Sequence, residues 1–216
     1  MTGPFRIIVA DPPYAFDDTL PTGDDKPKRG AAQQYPTLDI EELKRLPVEH
    51  LAEEDAILTL WCPAALLADG LALMRAWGFT YKQLWTWVKT KANTEGLPLE
   101  PGSLAFGMGR LARNCSEYVL VGTRGSVTKH LQTRSERNVL FAPAMPHSAK
   151  PECVQDQLDR MFPDGKRLEL FARRDRAGDP RWTCTGNECP RTMGEDVRDA
   201  VERLAPQKTM FGHGAR

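Results

Sequence analysis

Hydrophobic positions along the chain fall into two kinds of run. Short apolar stretches of strand length occur at Phe5 to Ala10, Ala56 to Cys62, Leu84 to Lys89, Glu117 to Gly122 and Arg167 to Ala172. Several are continuous rather than alternating, which suits strands covered on both faces, as in a parallel sheet flanked by helices. Between them the apolar residues recur at helical spacing. Asp39 followed by Glu41 and Glu42 predicts a helix start, with Leu38, Ile40, Leu43 and Leu46 on one face and Pro47 near the end. A second helix is predicted from Ala64 to Trp77, stopped by Gly78, and a third from Pro151 through Val154, Leu158 and Met161. Strands alternating with helices predict an open α/β sheet with helices on both faces.

Two long segments interrupt this pattern, residues 15 to 36 and 90 to 114, both rich in Gly, Pro and charge. Loops of that length inside a compact domain are functional or disordered as a rule. At 216 residues the chain has room for one domain, expected over 1–190, followed by a C-terminal helix near Glu195 to Leu204 and a partly flexible tail over 191–216. The 29 basic and 29 acidic residues cancel, so any nucleic-acid site must be a local one. No apolar run has the length of a membrane helix and the N-terminus lacks the pattern of a signal peptide, so the expectation is a soluble, cytoplasmic protein with no membrane contact. Five cysteines without a CxxC pair, and four scattered histidines, match no metal-ligand spacing; the expected metal content is none.

The first strand ends on Asp11, Pro12, Pro13 and Tyr14. This is the carboxyl edge, where open α/β sheets bind their ligands. The two prolines donate no hydrogen bonds and fix φ, so their carbonyls are expected to be rigid acceptors with no donor competing beside them. If the substrate is an exocyclic amine of a nucleobase, its nitrogen is a poor nucleophile until both N–H groups are held. The Asp11 carboxylate and the Pro12 carbonyl could accept those two protons, with Tyr14 stacked on the base. The same four residues also suit an ordinary strand-to-loop turn.

Further segments decide between these readings: YPTLDIEELKRLP at 35 to 47, AILTLWCP at 56 to 63, AWGF at 76 to 79, WTWVKT at 85 to 90, NCSEYVLVGTRG at 114 to 125, HSAKPE at 147 to 152, KRLELFARRDRAG from 166, and WTCTGNE ending at Glu188. In this order and spacing the chain resembles the permuted, beta-class N6-adenine methyltransferases related to the catalytic subunit of the eukaryotic mRNA adenosine methyltransferase, a family with bacterial and phage DNA-modifying members. The resemblance implies a Rossmann-like methyltransferase fold with a mostly parallel sheet and permuted motif order, residues 1–190 being the catalytic domain. S-adenosylmethionine is the implied methyl donor.

Carried over by position, Asp11, Pro12, Pro13 and Tyr14 form the catalytic loop, and Asp11, Lys150, Glu169, Phe171, Arg173, Asn187 and Glu188 surround the cofactor. Lys150 would meet the cofactor carboxylate as a point charge, and Glu169 would accept from ribose hydroxyls. RRDRAG lacks the His and Asn that the mRNA enzyme carries after its arginine, and no glycine-rich GxGxxG loop is present. Tyr35, Trp87 and Lys89 are expected beside the target base, and Lys28, Arg29, Arg110 and Arg113 on the nucleic-acid backbone. The function implied is methylation of adenine N6 in DNA, the base being extruded if it lies in a duplex. RNA adenosine methylation and a catalytically silent nucleic-acid-binding subunit are the alternatives. The expected assembly is a monomer or dimer, with a methyltransferase-like partner subunit as an option.

Overall fold

The computed structural model describes residues 3–15, 37–92, 100–105, 107, 111–146, 149–176 and 178–206. Seven strands form one sheet: β1 (Phe5–Ala10), β2 (Ala52–Cys62), β3 (Thr80–Thr90), β4 (Ser116–Arg124), β5 (Val139–Pro143), β6 (Lys166–Leu170) and β7 (Trp182–Thr185). Their spatial order is β5-β3-β4-β2-β1-β6-β7. β4 runs antiparallel to β2 and β3, and every other neighbouring pair is parallel. The helices are α1 (Ile40–Arg45), α2 (Leu67–Ala76), α3 (Cys153–Met161) and α4 (Val197–Leu204).

The continuous apolar run of β1 is explained by its two neighbours in depth. Ile8 and Ala10 pack in a core with Leu43 of α1, Leu73 and Met74 of α2 and Val201 of α4. Ile7 and Val9 face the opposite core, with Val154 and Leu158 of α3. Successive strand residues point to opposite faces, so a strand roofed on both sides must be apolar at every position. The result is a Rossmann-like fold with three helices on one face of a mostly parallel sheet and one on the other.

Local chemistry sets the helix ends. At α1 the Asp39 carboxylate accepts from the Glu42 N–H at 2.7 Å while Glu42 accepts from the Asp39 N–H at 3.1 Å, a reciprocal capping box. α2 stops where Gly78 takes φ of 80°, a conformation that penalises any side chain. The fully buried Trp77 donates its indole N–H to the Leu43 carbonyl at 2.9 Å, tying α2 to α1. α4 is capped by Asp196, and its Arg198 reaches Glu42 of α1 at 3.0 Å.

Several elements depart from the sequence expectation. The sequence pattern does not announce β5 or β7. β5 leaves Val139 and Phe141 about two-fifths exposed, and β7 has only four residues, so neither carries a long apolar run. A 3-10 turn over Ala64–Leu66 precedes α2, and α3 begins two residues after Pro151. β6 ends at Leu170 rather than Ala172, because Phe171 adopts φ of 64° and turns the chain out of the sheet. Among the described residues no helix is long and apolar enough to cross a membrane.

Candidate active site

β1 and β6 lie side by side and parallel, with Val9 level with Glu169 and Ala10 with Leu170. The chain therefore delivers Asp11 and Glu169 to one edge of the sheet from two adjacent strands. A cleft opens there, lined by Val9, Asp11, Trp61, Gln155, Glu169 and Phe171 together with Lys150, Arg173, Arg174 and Arg176. Its position outside strand carboxyl ends is where open α/β sheets place ligands.

The Asp11–Tyr14 segment is pinned by backbone hydrogen bonds. The Asp11 N–H donates to the Leu170 carbonyl at 3.4 Å, the Tyr14 N–H to the Pro12 carbonyl at 2.9 Å, and the Leu38 N–H to the Pro13 carbonyl at 2.9 Å. The expectation of carbonyls without competing donors is thus corrected: a three-residue turn closes on Pro12 and a bridge from the α1 side occupies Pro13. A carbonyl has two lone pairs, so Pro12 keeps one acceptor site.

Tyr14 also differs from expectation. The residue is 9 % exposed and packs in the core shared with α1, α2 and α4 rather than lying open as a stacking platform. The hydroxyl donates to the Trp61 carbonyl at 3.1 Å, joining the ends of β1 and β2. Burial, then the neighbouring Cys62 and Asp11, push its pKa well up, so the phenol stays protonated.

Charge in the site is arranged as a chain. Lys150 Nζ lies 2.9 Å from Asp11 Oδ2 and 3.5 Å from Glu117 Oε2, and Glu117 also pairs with Lys89. Two indoles underlie this chain: Lys150 stands 5.6 Å over the Trp61 ring and Lys89 4.8 Å over the Trp87 ring. The two rings meet edge to face at 5.9 Å. Burial raises the Asp11 pKa by more than Lys150 lowers it. For Lys150 burial acts downward, but the charges of Asp11 and Glu117 outweigh it and the net shift is upward. Asp11 is accordingly a carboxylate that takes up a proton more readily than usual, beside an ammonium that does not give one up.

At the other wall burial raises Glu169, opposed by a hydrogen bond from Gln155 and by the charge of Arg176. The Gln155 Oε1 atom is buried without a hydrogen-bond partner. A buried acceptor in that state costs free energy until a donor arrives. Phe171, bordering the same cleft, holds an αL conformation that costs a non-glycine residue about 1 to 2 kcal/mol.

Comparison with known proteins bears on what such a site belongs to. A profile of the MT-A70 family matches residues 5–188. The chain belongs to the MT-A70 family. Among individual relatives, the Type II methyltransferase M.MunI of Mycoplasma sp is 30 % identical over 191 residues, covering 82 % of this chain and 76 % of that protein. The N(6)-adenosine-methyltransferase MT-A70-like protein of Arabidopsis thaliana is 28 % identical over 209 residues, 95 % of this chain but 27 % of its own length. The catalytic subunit METTL3 of Homo sapiens is 26 % identical over 186 residues, 86 % of this chain and 28 % of its length. The chain thus spans about three quarters of the Mycoplasma relative and less than a third of the eukaryotic ones.

Within this family member, the structure gathers Asp11, Lys150, Glu169, Phe171 and Arg173 around one cleft. Arg173 is held by Glu188 at 2.7 Å, which puts that pair at the rim. Asn187 is exposed and is not among the cleft residues. Trp87 is 1 % exposed with its indole N–H on the Ala142 carbonyl at 3.0 Å, so it is a core residue supporting Lys89 rather than a surface offered to a base. Arg113 is exposed. Tyr35, Lys28, Arg29 and Arg110 lie outside the described residues.

Sequence reasoning misses Glu117 and Gln155, reads Trp61 as core packing and gives Arg176 only a weak place beside the cofactor, whereas all but Glu117 line the cleft. Glu117 is the second residue of β4, and only the antiparallel course of β4 brings its first residues to the edge where β1 ends. A charged residue at the head of an otherwise apolar strand, SEYVLVG, was the available signal. Among the described residues no cluster of His, Cys, Asp or Glu could hold a metal ion.

Proposed function

We propose that the protein is an S-adenosylmethionine-dependent methyltransferase that modifies the N6 amino group of adenine in DNA. The observation that carries this is the convergence of Asp11 and Glu169, from adjacent parallel strands, on a cleft that the unpartnered Gln155 acceptor also lines. Membership of the MT-A70 family and the likeness to a Type II methyltransferase support the chemistry and the DNA substrate.

The residues fit the donor. Glu169 and Gln155 Oε1 are acceptors suited to hydroxyl groups of a ribose, and the basic groups lining the cleft suit a carboxylate. When bound, S-adenosylmethionine supplies an electrophilic methyl on a sulfonium. The protein's work is orientation and charge placement. Asp11 accepts one N–H of the target amine and the free lone pair of the Pro12 carbonyl accepts the other, which draws the nitrogen toward tetrahedral geometry. Lys150 fixes the Asp11 carboxylate, and the raised pKa of Asp11 suits it to receive the proton that the amine sheds on methylation. Tyr14 contributes by locking the loop to β2 rather than through an open ring face.

The catalytic unit proposed is residues 1–190, with α4 packed back on its core, working in a bacterial or phage cytoplasm. Tyr35, Lys89, Lys28, Arg29, Arg110 and Arg113 remain the proposed contacts to the nucleic acid, as a monomer, a dimer or beside a methyltransferase-like partner. The match of eukaryotic adenosine methyltransferases over nearly the whole chain supports RNA as the second reading. Labelled donor incubated with matched DNA and RNA, followed by digestion to nucleosides and mass analysis, tests both. Label on N6-methyldeoxyadenosine is expected. Label on cytosine N4 would refute the adenine assignment while leaving the Asp-Pro mechanism intact, and calorimetry without donor binding would sink the enzyme reading in favour of a silent subunit.

A further inference from the structure

The segment that follows β6 carries arginines at 173, 174 and 176, and each is anchored differently. Arg173 pairs with Glu188 at 2.7 Å, and Arg176 reaches Glu152 at 3.1 Å and Asp156 at 2.7 Å. Arg174 instead takes hold of main chain. A terminal nitrogen of its guanidinium donates to the Lys150 carbonyl at 2.8 Å, while its Nε lies 3.4 Å from Glu152. The ion pair with Glu152 is well exposed and contributes little stability by itself, but it fixes the plane of the guanidinium against the carbonyl. That carbonyl lies outside the ladder of α3, which opens two residues later with the Asp156 N–H on the Glu152 carbonyl. Pro151 fixes φ between the two and stiffens the junction. The far end of Lys150 carries the charge of the site: its Nζ is 2.9 Å from Asp11 and 3.5 Å from Glu117. Lys150 is thus gripped at both ends, by two acids at the ammonium and by Arg174 at the main chain.

We infer that Arg174 is a positioning residue: by holding the Lys150 main chain from the β6 side, it keeps the ammonium on Asp11, the carboxylate that receives the amine proton. This rests on the function proposed above. A lysine ammonium rides on a flexible four-carbon stem, so its place is defined only when the main chain behind it is fixed. Small displacements of an orienting group are costly, a shift of about 1 Å being worth up to about a hundredfold in rate. Arg174 also belongs to the stretch that lines the donor cleft together with Phe171 and Arg173. One short run of chain therefore sets both the wall that meets the donor and the charge that orients Asp11.

Competitive labelling with limiting acetic anhydride, read lysine by lysine by mass spectrometry, tests the link directly. In Arg174→Ala, Lys150 should become several-fold more reactive relative to the exposed Lys82 and Lys166, while Lys89, paired with Glu117, keeps its reactivity. Methyl transfer to DNA from labelled donor should fall about five- to tenfold in the same variant, short of the full cost of a 1 Å shift because Asp11 and Glu117 still attract the ammonium. Arg174→Lys, which still offers one donor to the carbonyl, should restore most of both. Adding Arg174→Ala to Lys150→Gln should cost little further transfer, since the group it positions is already gone. Unchanged reactivity of Lys150 in Arg174→Ala would overturn the inference whatever happens to transfer. A rise shared equally by Lys89 would overturn it too, as general loosening, and so would a full further loss on top of Lys150→Gln, as direct contact of Arg174 with the donor. If the unaltered protein binds no donor and transfers no methyl group, the proposed function falls, and the labelling still decides whether Arg174 holds Lys150.

Discussion

Asp159 of α3 is the shared partner of three groups, and replacing it with alanine should destabilise the protein more than replacing the arginine it holds. Arg167 is fully buried, with its Nε 2.5 Å from Asp159 Oδ1 and its two terminal nitrogens on the carbonyls of Phe162 and Gly165. Asp159 also accepts from the Trp182 indole at 3.2 Å and pairs with Arg176 at 3.5 Å. Burial already pulls the Arg167 pKa down. Asp159→Ala leaves that guanidinium in the interior with two carbonyls and no counter-charge, a class of change that costs about 3 to 5 kcal/mol. The 18 % exposure of the Asp159 side chain lets some water in, so the lower figure, about 3 kcal/mol, is the better one. For a domain of this size that is a fall in Tm of about 6 to 12 °C.

Arg167→Met removes the charge instead. Asp159 keeps Arg176 and Trp182, two carbonyls lose their donors, and the cost should be about 1 to 2 kcal/mol. The double variant should resemble Arg167→Met rather than the sum, because without the buried charge the missing carboxylate matters little. Urea unfolding followed by tryptophan fluorescence and by circular dichroism, with matched slopes, measures all three. An Arg167→Met variant less stable than Asp159→Ala, or strictly additive losses, would refute the reasoning.

Three further outcomes are expected. Asp11 must be ionised to accept the amine proton and its pKa is raised, so turnover should fall with decreasing pH at values above the usual carboxylate range; in Lys150→Gln, which removes the main downward influence, the acid limb should move further up, read from kcat/KM against pH. A Cβ on Gly186 would lie 2.3 Å from the Ala172 carbonyl oxygen, so Gly186→Ala should push the segment after β6 away from β7 and weaken donor binding at least several-fold by calorimetry. Val201 of α4 is 1 % exposed, so Val201→Ala should cost about 2 kcal/mol and lower Tm by about 4 to 8 °C in a scanning-calorimetry trace; an unchanged trace would mean α4 is not part of the folded unit.

Much of this architecture was legible in the chain because it is locally encoded. β1 was placed to the residue, since an apolar run cut by Asp-Pro-Pro leaves little freedom in where a strand ends. The Asp39 cap was legible for the same reason, with both halves of the reciprocal bond three residues apart. What escaped was set by distant parts of the chain. Tyr14 reads as a platform until the position of Trp61, 47 residues away, turns it inward. Glu117 enters the site only through the direction of β4, which strand composition does not encode. β7 is recognisable mainly through its ladder with β6, because four residues with two threonines carry almost no periodic signal.

The paired indoles give the molecule an optical property of its own. Trp61 and Trp87 meet at 5.9 Å and 83°, close enough for their electronic transitions to couple, and each carries an ammonium over its face. Indole emission shifts with the field of a nearby charge. Anything that draws Lys150 away from Trp61, whether a carboxylate bound in the cleft or a change in the protonation of Asp11, therefore alters the near-ultraviolet signature of the protein. Occupancy of the cleft can be followed in this chain without a dye, a label or a coupled reaction.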